Sequence, residues 1–512
     1  MYRNLFSVAA FTLLSRLTGF LRDVMLGAVL GAGQLADAFV VAFRLPNHFR
    51  AIFGEGAFNA AYVPCYTQVL ARQGETAGWR FSSQIFTLLF YSQLLLLVLA
   101  LIFMPEFIDL LAPGFRADPV KFSAAVTLTR ITFPYLLFVT LVTLQSGTLN
   151  ARGYFSAAAF APVLLNLVMI GFMALAFLFP NAAYAAAVGV TVSGLCQFAL
   201  TYAALREDGL HEQLMGISWT KEIRHFFAVL GPAVIGSAGV QLALFADTII
   251  GSMLPTGGVS SIYYADRIYQ LPIGIIGIAA GTVLLPEMSR RFALGDHGGA
   301  FHAQNRTMAL SIVLGAPFFV AFIMIPEVIM RGVFLRGAFT EGAADASARV
   351  LTAYGFGLIA IVLIRSVVAS FQSIGDTRTP MMVSLFSVAV NICFKVVLFK
   401  PFGAEGLALA TALGAWLNFI LLCFFALRRD LLWPDDLLAK SAGSAAIAAF
   451  VLSLFALFFT LPAAEFAFGV GHFENEIELI FLVCGGGLVY TIVLGLGFLI
   501  SGVRLGRAPE GY

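Results

Sequence analysis

Between Ser15 and Pro64 the chain places Arg16, Arg22, Asp23, Asp37, Arg44, Arg50 and Glu55 inside two stretches otherwise apolar enough to cross a membrane. An arginine at the centre of a spanning helix costs about 2.5–3.5 kcal/mol even on lenient insertion scales, so these groups must face something other than lipid. Two bland accounts compete: snorkelling from helix ends, or mutual pairing that only holds the bundle together. The spacing argues for a wet, anion-binding cavity. Arg16, Gly19 and Asp23 fall at i, i+3 and i+7 on one helical face, and Asp37 and Arg44, seven apart, share another. Arginine is informative because its planar fork grips phosphate or carboxylate oxygens two at a time and stays charged when partly desolvated. Pro46 follows Arg44 by two residues, and Gly54 and Gly56 flank Glu55. This half of the span is expected to bend, freeing backbone groups that a cavity can hydrate.

The same theme returns at Tyr263-Tyr264-Ala265-Asp266-Arg267, followed by Leu271-Pro272 and by an uncharged run from Ile273 to Leu285. Gly27-x3-Gly31 and Gly277-x3-Gly281 fit the close-packing spacing of membrane helices, as glycines there often do. A separate polar cluster comprises Asp247, Asn391 and Lys395 one turn apart, and Thr411. Asp, Asn and Thr oxygens could hold a sodium ion. An ammonium at Lys395 would occupy the place of such a cation, so a structural or proton-linked pair of Asp247 with Lys395 is the favoured reading.

The elements that must position these residues are membrane helices. Of 512 residues 60% are hydrophobic and 11% charged, with a mean hydropathy of +0.92, far from the roughly 25% charged residues of soluble chains. Windows of about 20 apolar residues, the length that crosses roughly 30 Å of hydrocarbon, occur about fourteen times. The N-terminus lacks a small-residue cleavage site and carries Arg16 within its apolar run, so it reads as a retained first helix. No connection is long enough for a folded soluble domain, and no GxxxxGK[ST] loop occurs. Transport driven by ATP hydrolysis within this chain is thereby excluded. The five cysteines are scattered in apolar context without a CxxC, which disfavours disulfides and zinc. The net charge of +2 comes from singly scattered cations and gives no footing for nucleic acid. An integral-membrane transferase would need a metal-binding acidic motif, and Asp435-Asp436, in a short loop, reads as a solvated linker.

A faint internal repeat at an offset of about 225 residues relates Asp23-x3-Gly27 to Asp247-x3-Gly251, Leu45-Pro46 to Leu271-Pro272, and Asn166 to Asn391. It implies two six-helix units in the same orientation, related by a pseudo-twofold axis along the membrane normal, with a substrate site between them. The division expected is 1–212 for the first lobe, 213–432 for the second, and 433–512 for two additional helices. Of the thirty Lys and Arg residues, about sixteen fall on one side of the membrane and about six on the other. The positive-inside rule then puts both termini in the cytoplasm.

The motifs Ser15-Arg16-x2-Gly19-Phe20-x-Arg22-Asp23, Asp37-Ala38-Phe39, Leu45-Pro46-Asn47-x2-Arg50-x-Ile52-Phe53-x-Glu55-Gly56-Ala57-Phe58 and Tyr263-Tyr264-Ala265-Asp266-Arg267 resemble those of the MurJ (MviN) family of bacterial lipid II flippases. Ala112-Pro113-Gly114-Phe115 and Phe160-Ala161-Pro162-x2-Leu165-Asn166 fit as well, and the resemblance covers essentially the whole chain. It implies an all-α polytopic fold of the multidrug/oligosaccharidyl-lipid/polysaccharide exporter superfamily, with the last two helices forming a groove for an isoprenoid tail. It also implies a non-enzymatic, monomeric transporter in the bacterial inner membrane, without cofactor, whose partners are lipid II and membrane lipids. Substrate-binding roles map onto Arg16, Arg22, Arg50 and Arg267, with Arg44 assisting. Asp23, Asp37, Glu55 and Asp266 would pair with those arginines when the cavity is empty. Some members hold sodium with an acidic residue where this chain has Lys395, so the driving force is left between membrane potential, H+ and Na+.

Overall fold

The computed structural model describes residues 2–53, 57–279, 283–470 and 473–503; for 2–7, 49–53, 57, 235–243, 278–279 and 470 it describes the backbone alone. Glu55, Gly54, Gly56 and Gly281 lie outside the described residues, as does the side chain of Arg50. The chain divides into two compact units, 1–260 with 337–339, and 261–336 with 340–512.

The first unit contains α1 (Tyr2–Leu30), α2 (Gln34–Phe53), α3 (Ala57–Gln73), α4 (Glu75–Ile102), α5 (Met104–Leu111), α6 (Pro119–Thr132), α7 (Pro134–Ala151), α8 (Ser156–Ala174), α9 (Ala182–Glu207) and α10 (Lys221–Ser252). The first three residues of α11 (Gly258–Ala279) also belong to it. The second unit holds the rest of α11, then α12 (Leu285–Ala293), α13 (His297–Met324), α14 (Pro326–Phe334), α15 (Glu341–Gly355), α16 (Leu358–Ser373), α17 (Arg378–Arg428), α18 (Asp436–Val470) and α19 (Glu474–Ser501). Helix α10, which the repeat assigns to the second lobe, groups with the first unit because it packs on α3 and α2.

Among the described residues nine helical stretches are long and apolar enough to cross a membrane. One of them, the 51-residue α17, is two helices joined at Gly403, whose φ of 56° and ψ of −128° no helix interior adopts. Helices α1, α10 and α11, at 29, 32 and 22 residues, exceed the roughly 20 that a bilayer needs. With these, α2 with α3, and α17 counted twice, the fold meets the expectation of about fourteen spans. The composition test passes over α1, α2 and α11 because they carry the ionisable groups discussed above.

Local chemistry sets the breaks. Asp118 caps α6 through the amides of Val120 and Lys121, Thr220 caps α10 through Ile223, and Asp296 caps α13 through Gly299. The Ala112-Pro113-Gly114-Phe115 motif forms a 3-10 turn over Pro113–Ala117. Gly114 is required there: its amide donates to Ser252 Oγ at 3.1 Å, and a Cβ would run into the Ser252 carbonyl. Gly31 departs from the packing role that its spacing suggests. It ends α1 with a φ of 62°, where a side chain would strike the Ala338 carbonyl oxygen, and Ala338 N donates to Ala28 O at 2.7 Å.

The core of the first unit includes an aromatic stack of Tyr62, Tyr66, Phe58 and Phe81 with Phe226 edge-on, joining α3, α4 and α10. In the second unit Tyr490 of α19 donates to the Val313 carbonyl of α13 at 2.7 Å, beside Val320 and Leu452. Leu13, Leu95, Leu457, Phe458 and Leu499 are exposed, as lipid-facing positions should be.

Candidate functional site

Helix α1 places Arg22 and Asp23 in the protein interior, 7% and 2% exposed. Arg22 donates to Asp23 Oδ1 through Nη2 at 2.7 Å and Nε at 3.1 Å, and through Nη1 to Asn166 Oδ1 at 2.9 Å. The guanidinium also lies 5.4 Å from the centre of the Phe43 ring. Asn166, on α8, is itself oriented by donating to Ser15 O and Thr18 Oγ1. It sits against Gly19, where a Cβ would come within 3.3 Å of its amide nitrogen. Gly19 is thus the seat of an asparagine that orients Arg22. Sequence reasoning placed Asn166 in the repeat and in a family motif without a role; its position in an apolar helix was the available signal.

The other arginines of the first unit are held differently. Arg16, two turns before Asp23, is exposed and Arg44 on α2 is half-buried; neither forms an ion pair with the described residues. Among the first unit's described acidic candidates, Asp23 forms an ion pair with an arginine.

Asp37 corrects the expectation that it pairs with an arginine. It is completely buried and accepts from Lys121 Nζ at 2.6 Å, Gly257 N at 2.9 Å, Ser260 N at 2.8 Å and Ser260 Oγ at 2.8 Å. Lys121 is 3% exposed in the first turn of α6, its ammonium 4.3 Å from the Phe115 ring centre. Nothing in the local sequence marks it, because its burial follows from α6 packing along α2. Asp37 ties α2, α6 and the start of α11 at one point.

In the second unit Asp266 accepts from Gln270 Nε2 at 2.5 Å, one turn along α11, while Arg267 lies over the Tyr263 ring at 4.6 Å. A further arginine, Arg365 of α16, crosses α11 at Gly277, where a Cβ would come within 2.9 Å of its Nε. Gly277 therefore makes room for a guanidinium. Of the second polar cluster, Asp247 lies on α10 and the others on α17. Thr411 Oγ1 is turned back on its own helix, donating to Leu407 O at 3.0 Å, and Asn391 packs over Gly414 with a buried Oδ1 that has no hydrogen-bond partner. Lys395 is 5% exposed.

Membrane-length helices carrying buried, individually held charges define a polytopic membrane protein. The fold matches, with a TM-score of 0.66 over 83% of this chain and 97% of the other at 16% identity, an inward-facing multidrug resistance MATE family transporter of the MOP superfamily. It matches "Lipid II flippase MurJ, inward closed conformation" with a TM-score of 0.79 over 96% and 99% of the two chains, at 23% identity. The family profile "Lipid II flippase MurJ" matches residues 26–473. The probable lipid II flippase MurJ of Rhizobium meliloti (strain 1021) is 39% identical over 421 residues, 81% of this chain and 78% of the relative. The chain belongs to the lipid II flippase MurJ family.

Proposed function

We propose that this chain moves lipid II, the undecaprenyl-diphosphate-linked muropeptide, from the inner to the outer leaflet of the bacterial cytoplasmic membrane by alternating access. The observation that carries the reading is the contrast within α1 and α2: Arg22 is neutralised by Asp23, whereas Arg16 and Arg44 have no ionic partner among the described residues. Cations at membrane depth without a protein counter-ion call for an anionic ligand, and a diphosphate supplies one. Arg16, Arg44, Arg50 and Arg267 would take its oxygens, with Arg22 held ready to exchange Asp23 for substrate. Asp37 and Lys121 would act as a clasp between α2 and α6 that transport must open or preserve.

The remaining assignments rest on the sequence and on family membership. The charge bias supports cytoplasmic termini, and α18 packed along α19, with Leu457 and Phe458 outward, offers a surface for the isoprenoid tail. The protein would work as a monomer and leave its substrate chemically unchanged. A buried ammonium at Lys395 and a Thr411 hydroxyl already spent on its own helix favour drive by membrane potential or protons over sodium. The potential is worth about 2.3 kcal/mol per charge per 100 mV, enough to return an empty cationic carrier.

The test is rescue of cells depleted of their own flippase, paired with native mass spectrometry of the pure protein against lipid II and other polyprenyl-diphosphate lipids. Arg16→Ala and Arg44→Ala chains, inserted normally, should fail to rescue. Preferential retention of another polyprenyl-diphosphate lipid would reassign the substrate.

A further inference from the structure

Residues 210–220, joining α9 to α10, form neither helix nor strand. They are nonetheless pinned along α4. Trp79 Nε1 donates to His211 O at 2.7 Å, Gln213 N donates to Ser83 Oγ at 3.3 Å, Met215 N donates to Thr87 Oγ1 at 3.1 Å, and Gln84 bonds Ser218. The register is simple: Trp79, Ser83 and Thr87 recur every four residues on one helical face. Eight residues of helix advance about 12 Å, and four residues of extended chain about 13 Å, so the strap from 211 to 215 matches its track.

Glu212 points from this strap into the helix bundle and is 8% exposed. Its carboxyl accepts from Ser82 Oγ at 2.9 Å and from Gln145 Nε2 at 3.2 Å. Behind these, Tyr62 bonds Ser82 and Thr148, and Thr201 holds Gln145. Every direct partner is neutral. The titratable and charged groups around it are Tyr62 and Tyr66 of α3, Glu75 of α4, Arg152 at the end of α7, and Asp208 and His211 beside it in the chain; α9 presents Thr201. The one cation among them, Arg152, is engaged by Glu75 at 2.6 Å and by Asp208.

We propose that Glu212 is a proton-binding site, loaded while the strap is seated on α4 and emptied when the strap lifts, so that seating takes up a proton from the aqueous side. The inference goes beyond lipid transport and does not depend on which lipid is carried. The surrounding hydroxyls serve both protonation states. With the carboxylate ionised, Ser82 donates to it. With the carboxyl protonated, its O–H can donate to Ser82, Ser82 can turn to Thr148 at 3.4 Å, and Thr148 already donates to Leu144 O at 3.2 Å. Burial pushes the carboxyl up from about 4.5 to about 7, outweighing the two hydrogen bonds that pull it down. Because the seated pKa is the higher one, seating is strongest below the released value near 4.5, weakens as pH rises to about 7, and levels off above it. At tenfold per pKa unit the seated-to-lifted ratio should change on the order of a hundredfold across that window.

Hydrogen exchange on the full chain in lipid nanodiscs tests this, with protection at Gln213 and Met215 corrected for intrinsic exchange between pH 4.5 and 8. Protection should fall as pH rises and level off near 7. Glu212→Gln should abolish the pH step and keep the strap protected at pH 8, while His211→Asn should leave the step in place. In an infrared titration of the unsubstituted chain, a protonated-carboxyl band should vanish near pH 7 and be missing from Glu212→Gln. Protection that does not vary with pH, a step that survives Glu212→Gln, or a carboxyl that titrates near 4.5 would each overturn the proposal.

Discussion

Arg22 in the first unit and Arg267 in the second each stand beside an aspartate in a membrane-length helix, yet their surroundings diverge. Arg22 receives a carboxylate on two of its nitrogens and an asparagine oxygen on the third, and its neighbour Asp23 is nearly inaccessible. Arg267 rides on a tyrosine ring, and its neighbour Asp266 takes a hydrogen bond from Gln270. The first arrangement holds charge by exchange of full partners, the second by a softer contact. Breaking a buried ion pair from one side costs far more than the pair contributes, whereas a cation–ring contact is worth only about 0.5–2 kcal/mol.

That contrast can be broken by substitution, and the effects should rank. Arg22→Ala should be the most damaging: it takes from Asp23, 2% exposed, the two hydrogen bonds of a buried guanidinium, with an expected loss of about 3–5 kcal/mol visible as a lowered melting temperature in detergent, together with failed rescue. The double variant Arg22→Met with Asp23→Leu should regain most of the stability while still failing to rescue, separating folding from function. Lys121→Met follows, since it removes the only cation bonded to Asp37 among the described residues but leaves three other donors. A loss of about 2–3 kcal/mol is expected, reduced when Asp37→Asn is added. Arg267→Ala gives up the Tyr263 ring contact, for which a loss of about 1–2 kcal/mol is expected, the scale of a partly desolvated cation–ring contact. If its melting temperature falls as far as that of Arg22→Ala, the distinction between the two units is wrong.

The smallest stability effects belong to Arg16, without an ionic partner among the described residues, and to Thr411, bonded to its own helix. Arg16→Ala should shift stability by less than about 0.5 kcal/mol while abolishing rescue, the reverse of a structural residue. Thr411→Val should change neither rescue nor its response to replacing sodium by choline, because among the described residues the hydroxyl bonds its own helix. A sodium requirement removed by Thr411→Val would restore the sodium-site reading.

Much of the site was legible in the sequence because membrane helices make ionisable residues conspicuous. Arg16, Arg22, Asp23, Asp37 and Asp266-Arg267 stand out against apolar neighbours, and helical periodicity places Arg16, Gly19 and Asp23 on one face without any structure. What failed was the assignment of partners. Nothing marked Lys121, since Pro119, two residues earlier, opens a helix whose packing no local pattern reveals. Gly31 and Gly277 shared a packing motif with many glycines. One proved to be a left-handed helix end and the other a seat for Arg365.

By itself the sequence determined that this is a multi-pass α-helical membrane protein, where its spans lie, and that cations are concentrated near its N-terminus. Hydrophobic length and the cost of charge in lipid act residue by residue, so they can be read from the chain alone. Only the tertiary structure decided which charges are held and by what partners: Asp37 by Lys121, Arg22 by Asp23 and Asn166, Glu212 by neutral hydroxyl and amide groups. Pairing depends on a few ångströms between helices far apart in sequence, and that distance is set by packing.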